Sequence, residues 1–332
     1  MPANHLAKRS LARKSVLITG GAGFIGSHLS DRVMKESPSR LVIVDDFSLG
    51  KMRNLRGLKQ RSDVRVHRLD ARSYGGLEKV MAEEKIDVVF NLAVIPLPMS
   101  LELPLETVLT NIVITTNLCE LLRKKKFESL VHSSSSEAYG TAIYVPMDEE
   151  HPEKPLTPYA ASKIACDQIA ISYFKTFGLD ISVARPFNSY GPRQNEKSYA
   201  GVIPLTIERI LRGEPPVLFG DGKQTRDYTY VADTVEGIIG VFSCEEAKGR
   251  IINIASGREV SIGSLISKVV NEMGYEGKTV RRPARPGDVL RHKGDISLAR
   301  RLFGYSPKTG ISEGLKLTID WYSHELKSTH NK

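Results

Sequence analysis

Apolar residues along this chain fall into short blocks, and the blocks alternate between two periodicities. VLIT (16–19), LVIVDD (41–46), VRVHRLD (64–70), DVVFNLA (87–93), SLVHSSSS (129–136) and ISVARPF (181–187) are compact apolar runs, as expected of buried strands. Between them, apolar residues recur at helical spacing. GGAGFIGSHLSDRVMKE does so through Phe24, Ile25, Leu29 and Val33, and further helices are predicted near 75–85, over 102–126 and over 159–178. Strands alternating with helices mean βαβ units, so the predicted fold is α/β with a doubly wound parallel sheet.

After about residue 190 the rhythm changes. Pro and Gly become frequent in YGPRQ, RGEPPVLFGDGKQ and RRPARPGD, and the apolar runs shorten. This predicts a smaller mixed α/β region over 191–226 and 256–326. The main domain then spans 14–190, with 227–255 returning to it, and 1–13 forms a loose basic tail.

Length and composition fit this reading. The 332 residues are 41% hydrophobic and 26% charged, in the range of a soluble globular protein. No continuous apolar run is long enough to span a membrane, and the basic N-terminus lacks the apolar core of a secretory signal. Cys119, Cys166 and Cys244 have no metal-ligand spacing and cannot all pair, which predicts a reducing, cytoplasmic setting. The net charge of +9 raises the question of nucleic acid, but much of it sits in the tail and in RKKK (123–126). No basic stripe is interleaved with aromatics, so a solvated surface or attraction of anionic substrates is the expectation, with no nucleic-acid or membrane partner.

TGGAGFIG sets Gly20, Gly23 and Gly26 between a predicted strand and a predicted helix. The first glycine permits the tight turn, the second lets backbone approach a pyrophosphate, and the third lets helix pack on strand. The helix N-terminus then presents N–H groups to the phosphates. Asp45 closes the next strand, where an acid accepts hydrogen bonds from an adenosine ribose and repels a 2′-phosphate. The Rossmann-type cofactor predicted is therefore NAD, although Lys51 and Arg53 nearby leave NADP open. Asp70, at the following strand end, is placed either to accept from the adenine amino group or to cap a helix.

In YAASK, Tyr159 and Lys163 lie four apart and so share a helix face. An ammonium beside a phenol is expected to lower the phenol pKa and make it a usable base. HSSSSEAYG (132–140) falls at the carboxyl end of a parallel strand, where doubly wound sheets bind ligands. Its serines and its glutamate are therefore expected to face a ligand.

TGGAGFIGSHL, VDDFS, NLAV, SSSSEAYG, YAASK, ARPFNSYGPRQ, DGKQTRDYTYVAD and RPGD together resemble the extended short-chain dehydrogenase/reductase family, in its nucleotide-sugar epimerase/dehydratase group. The resemblance runs from about residue 14 to 324. It implies that Ser135, Tyr159 and Lys163 oxidise C4 of a sugar with NAD. Phe24, Ile25, Ala71, Leu92, Ala93, Ser134 and Arg185 would line the cofactor pocket. It further implies that Asn188, Arg226 and Arg285 hold the substrate diphosphate, that Asp288 holds the nucleotide ribose, and that Val202, Pro204 and Phe219 neighbour the base. A UDP-sugar is the expected substrate. A homodimer would form through helices 103–125 and 157–177.

Glu137 discriminates among reactions. A 4-ketone acidifies the C5 hydrogen, and a base there permits elimination of the C6 hydroxyl. Members of the group that dehydrate or decarboxylate resemble this chain in carrying Glu at this position, whereas plain 4-epimerases usually carry a small or apolar residue. The resemblance thus implies a 4,6-dehydratase with Glu137 as C5 base and Ser136 assisting the leaving group. The alternatives are a 4-epimerase in which Glu137 is a solvated loop residue, a uronate decarboxylase, or a non-catalytic NAD-binding scaffold.

Overall fold

The structure, a computed structural model, describes residues 9–195, 201–284 and 288–330, with side chains as far as Glu325. Six strands follow in order: β1 (Ser15–Thr19), β2 (Arg40–Asp45), β3 (Val64–Arg68), β4 (Val88–Asn91), β5 (Ser129–Ser133) and β6 (Ile181–Pro186). A seventh, β7 (Ile251–Ile254), completes one edge. The spatial order is β7-β6-β5-β4-β1-β2-β3 and every neighbouring pair is parallel, with Leu17 of β1 opposite both Val42 and Val89. All residues of β1, β4 and β6 are buried, which is why their sequences read as apolar runs.

Helices cover both faces. Val16 and Ile18 pack with α1 (Phe24–Met34) and α7 (Val231–Ser243). Leu17 packs on the other side with α2 (Tyr74–Glu84), α4 (Pro104–Arg123) and α5 (Pro158–Phe177), and a short α3 (Leu97–Ser100) precedes α4. The order of the sheet reverses between β1 and β4, so their carboxyl ends open a crevice. Helix α5 starts where Thr157 Oγ1 accepts from Ala160 N at 3.2 Å, and it stops at Gly178 in the left-handed region. By length and composition α4 could cross a membrane; here it packs along α5 and buries Thr107, Asn111 and Thr115.

A second lobe gathers α6 (Val202–Leu211), α8 (Ile262–Glu272) and α10 (Ile311–His330) around Ile203, Ile207, Leu265, Val269 and Leu315. Two expected boundaries move. Residues 9–13 are not a loose tail: Leu11 is 1% exposed in the main core, and Arg9 bonds Asp180 at 2.8 Å and covers the Phe242 ring. Segment 296–305, with α9 (Ser297–Phe303), also belongs to the main domain, because Ile296, Ala299 and Tyr305 fill the core beside α7. Brief apolar runs between Pro and Gly carry no sign of which core they join; packing decides.

Candidate active site

The crevice is a cleft of about 520 Å³ lined by the glycine loop, the ends of β2, β4 and β5, and one face of α5. Gly20 has φ +68°, and a Cβ there would lie 2.8 Å from Ala93 N. A Cβ on Gly26 would fall 2.1 Å from the Gly20 carbonyl oxygen. Only glycine lets α1 approach β1 this closely. Gly23 caps α1 without a side-chain bond, so the first-turn N–H groups face the cleft free of a side-chain cap. Phe24, Ile25, Ala71, Leu92, Ala93 and Ser134 line the same space.

Asp45 lies on the wall, but its oxygens already accept from Ala22 N at 2.9 Å and Phe47 N at 2.8 Å. It therefore shapes the glycine loop as well as facing the cleft. Burial raises its pKa. Asp70 also lines the cleft; burial pushes its pKa up, but its bonds to Arg72 hold it below the ordinary value. Asp70 does not cap α2, since Ser73 Oγ fills that role for Gly76 N.

Strand β5 ends at Ser133, and the four serines take separate positions. The Ser133 carbonyl accepts from Lys163 Nζ at 2.5 Å. Ser134 bonds Asp167 and Arg185. Ser135 is extended, caps the 3-10 turn Ser136–Tyr139, and lies within hydrogen-bonding reach of the Tyr159 phenol. Ser136 is buried within that turn.

Two expectations need correcting. The Tyr159 pKa is raised, not lowered: burial dominates, the bond to Ser135 opposes it, and the charge of Glu137 adds to it. Burial lowers the Lys163 pKa, partly offset by Cys166 and Asp167. Both groups leave water in one cleft, and the ammonium donates to a carbonyl. Arg185, expected on the cofactor, lies behind the cleft at 1% exposure, where Glu153, Asp167 and Ser134 occupy its donors.

Glu137 lies in the turn that Ser135 caps, its N–H donating to Ser135 Oγ at 3.3 Å. The residue is half-buried, and desolvation raises its pKa, with Arg226 pulling down and Asp288 pushing up. Arg226 is buried; it pairs with Asp288 and donates to the Val289 carbonyl at 2.5 Å. Asn188 Oδ1 is a buried acceptor without a partner. Arg226 and Asp288 act electrostatically on Glu137, and Ser136, Glu137, Asn188, Arg226 and Asp288, like Val202, Pro204 and Phe219, lie outside the lining of the cleft that holds Tyr159. Arg285 lies outside the described residues. The sequence reading missed the apolar wall of Val94, Ile95, Pro96 and Met99, and also Gln194 and Asn195 opposite the glycine loop. Only the polar Gln194, in YGPRQ, offered a signal.

A glycine-turned βα loop, a ribose-side acid and a Tyr–Lys–Ser set in one crevice define a dinucleotide-dependent dehydrogenase site. The family model described as GDP-mannose 4,6 dehydratase matches residues 17–318. A putative UDP-glucose 4-epimerase of Methanocaldococcus jannaschii is 34% identical over 94% of this chain and all of that protein. A UDP-N-acetyl-alpha-D-glucosaminuronate decarboxylase of Bacillus cytotoxicus is 32% identical over 93% of this chain and 98% of its own. Among solved structures, the dTDP-glucose 4,6-dehydratase DesIV of Streptomyces venezuelae, with NAD bound, superimposes at a TM-score of 0.89. It is 28% identical, covering 95% of this chain and 98% of the other. The chain belongs to this family of extended short-chain dehydrogenase/reductase enzymes, which comprises NAD-dependent nucleotide-sugar epimerases, dehydratases and decarboxylases.

Proposed function

We propose that the chain is an NAD-dependent 4,6-dehydratase of a nucleotide-linked hexose, with a UDP-hexose or UDP-N-acetylhexosamine as substrate. The observation that carries this is Glu137: a desolvated carboxylate with a raised pKa, beside Ser135 and Tyr159 and within the field of Arg226. A carboxyl held above its ordinary value is a better base toward carbon acids.

The glycine loop, Asp45, Leu92, Ala93 and Lys163 are the residues that would hold NAD, which supplies the hydride acceptor and donor. Tyr159 takes the proton of the sugar 4-hydroxyl, with Ser135 bonded to the same oxygen. Lys163 orients the ribose nearest the reacting carbon. The resulting 4-ketone acidifies C5–H, Glu137 removes that proton, and the C6 hydroxyl departs as water with a proton delivered from the Ser136 side. Reduction at C6 and return of the proton to C5 give the 4-keto-6-deoxy sugar.

A second reading, 4-epimerisation, draws support from the Methanocaldococcus relative named for it. Incubating the purified protein with UDP- and GDP-hexoses and their N-acetyl forms, then weighing the products, separates the readings. Loss of water supports dehydration, an unchanged mass means epimerisation, and loss of carbon dioxide from a uronate means decarboxylation.

A homodimer belongs to the same proposal. Leu105, Leu109 and Val113 recur every four residues on α4 at 71%, 52% and 38% exposure, an apolar stripe that suits a second copy of α4 and α5.

A further inference from the structure

Beneath α5, Asp167 Oδ1 and His132 Nε2 are buried without hydrogen-bond partners and face one another at 3.6 Å. The Asn91 side-chain amide donates to His132 Nδ1 at 3.0 Å, which leaves the imidazole proton on Nε2, toward Asp167. The other Asp167 oxygen accepts from the Ser134 hydroxyl and from Arg185 Nη2 at 2.9 Å. Arg185 also donates to Ser134 Oγ at 3.3 Å and to Glu153 Oε1 at 2.6 Å, and it stacks 4.5 Å from the Tyr139 ring. Asp167 and Arg185 are 0% and 1% exposed.

Buried ion pairs are poor stabilisers, because desolvating each ion offsets most of the attraction. Stability alone is therefore a weak account of this pair. Tyr159, Lys163 and Asp167 are spaced by four and form one stripe along α5. That stripe meets the end of β5 group by group. The Tyr159 phenol reaches Ser135, Lys163 donates to the Ser133 carbonyl at 2.5 Å, and Asp167 holds the Ser134 hydroxyl. Ser134 N adds the last ladder bond, to Ala184 O at 2.7 Å on β6.

We infer that the Asp167–Arg185 pair is a positioning element: by tying Ser134 to α5 and β6 at once, it sets the approach of the Ser135 hydroxyl to the Tyr159 phenol. The inference rests on Ser135, Tyr159 and Lys163 being the redox centre, but not on which product forms.

The test uses the holoenzyme and whichever UDP- or GDP-hexose the wild type converts. Arg185→Lys keeps the charge and loses the planar fork. Its kcat falls by about 100-fold, the scale of a misplacement of about 1 Å, while KM and NAD affinity stay at wild type. The double variant Asp167→Leu/Arg185→Met removes both fully buried ions together and leaves only the part-exposed Glu153 without its ion partner. It melts no lower than Arg185→Lys yet stays slow. Wild-type kcat in Arg185→Lys, or a double variant that regains kcat along with its melting temperature, overturns the inference. If the double variant does not fold, the kcat and KM of Arg185→Lys decide. Tyr159→Phe is the control: activity surviving there removes the redox-centre reading and this inference with it, whereas activity lost there but intact in Arg185→Lys removes this inference alone.

Discussion

Lys163 Nζ donates to the backbone carbonyl of Ser133 at 2.5 Å, so the ammonium is anchored to the strand that ends in the serine run. Burial already depresses its pKa. Replacing it with Met removes both the anchor and the charge beside Tyr159. The expected loss in kcat is about 100- to 10,000-fold, the range of a lost proton-transfer partner. Steady-state kinetics with circular dichroism checks it: a folded Lys163→Met enzyme within tenfold of wild type contradicts the role.

In the proposed dehydration Glu137 must be ionised to take a proton from C5. Its pKa is raised, chiefly by desolvation, so product formation falls off on acidification at a higher pH than an ordinary glutamate gives. Glu137→Gln stops the reaction after C4 oxidation, and a 4-keto sugar accumulates. Product yield equal to wild type with no such species sinks the dehydratase assignment.

Asp227 is fully buried, where Ser256 N and Oγ, Gly257 N and Gly294 N all donate to its carboxylate. Burial nonetheless outweighs those bonds and raises its pKa from 3.8 to about 6. The folded state therefore holds this proton more tightly than the unfolded state does. The stabilisation is complete below pH 3.8 and fades as pH rises through about 6. A gap of this size corresponds to about 3 kcal/mol. In Asp227→Asn that component is missing. The melting temperature of the variant, relative to wild type, should rise between those two pH values; parallel curves refute this.

Leu105→Glu and Leu109→Glu place charge in the exposed stripe of α4 without touching the core. Light scattering after gel filtration should report a dimer for wild type and a monomer for the double variant. A monomeric wild type ends the dimer proposal.

Gly26→Ala puts a methyl group 2.1 Å from the Gly20 carbonyl oxygen, and no rotamer relieves a Cβ clash. The glycine loop must open. Calorimetric titration of NAD should show at least a tenfold loss of affinity, or about 1.4 kcal/mol. An unaltered titration in a folded variant speaks against pyrophosphate contact at this loop.

The sheet could be read from the sequence because its strands are buried on both faces. VLIT and LVIVD need no partner information to be recognised. The strand end at Ser133 was harder. SLVHSSSS reads as eight continuous residues, but Ser135 turns its hydroxyl onto Glu137 N and starts a new turn. Arg185 was misplaced because a lone arginine at a strand end looks the same whether it meets a cofactor or a buried acid. Its partner Asp167 lies 18 residues upstream, in a helix whose face is fixed only by packing. The Tyr159 pKa was misjudged for a related reason: spacing places an ammonium nearby but says nothing of how much water both groups lose.

The proposed oxidation draws on Tyr159 and Lys163 of α5 and on Ser135, whose hydroxyl caps the same short turn that carries Glu137. The residues proposed for the opening reaction and for its outcome thus meet at one junction, where β5 gives way to that turn. Under the proposed mechanism, exchanging that one carboxylate would redirect the keto intermediate while Tyr159, Lys163 and Ser135 stay in place.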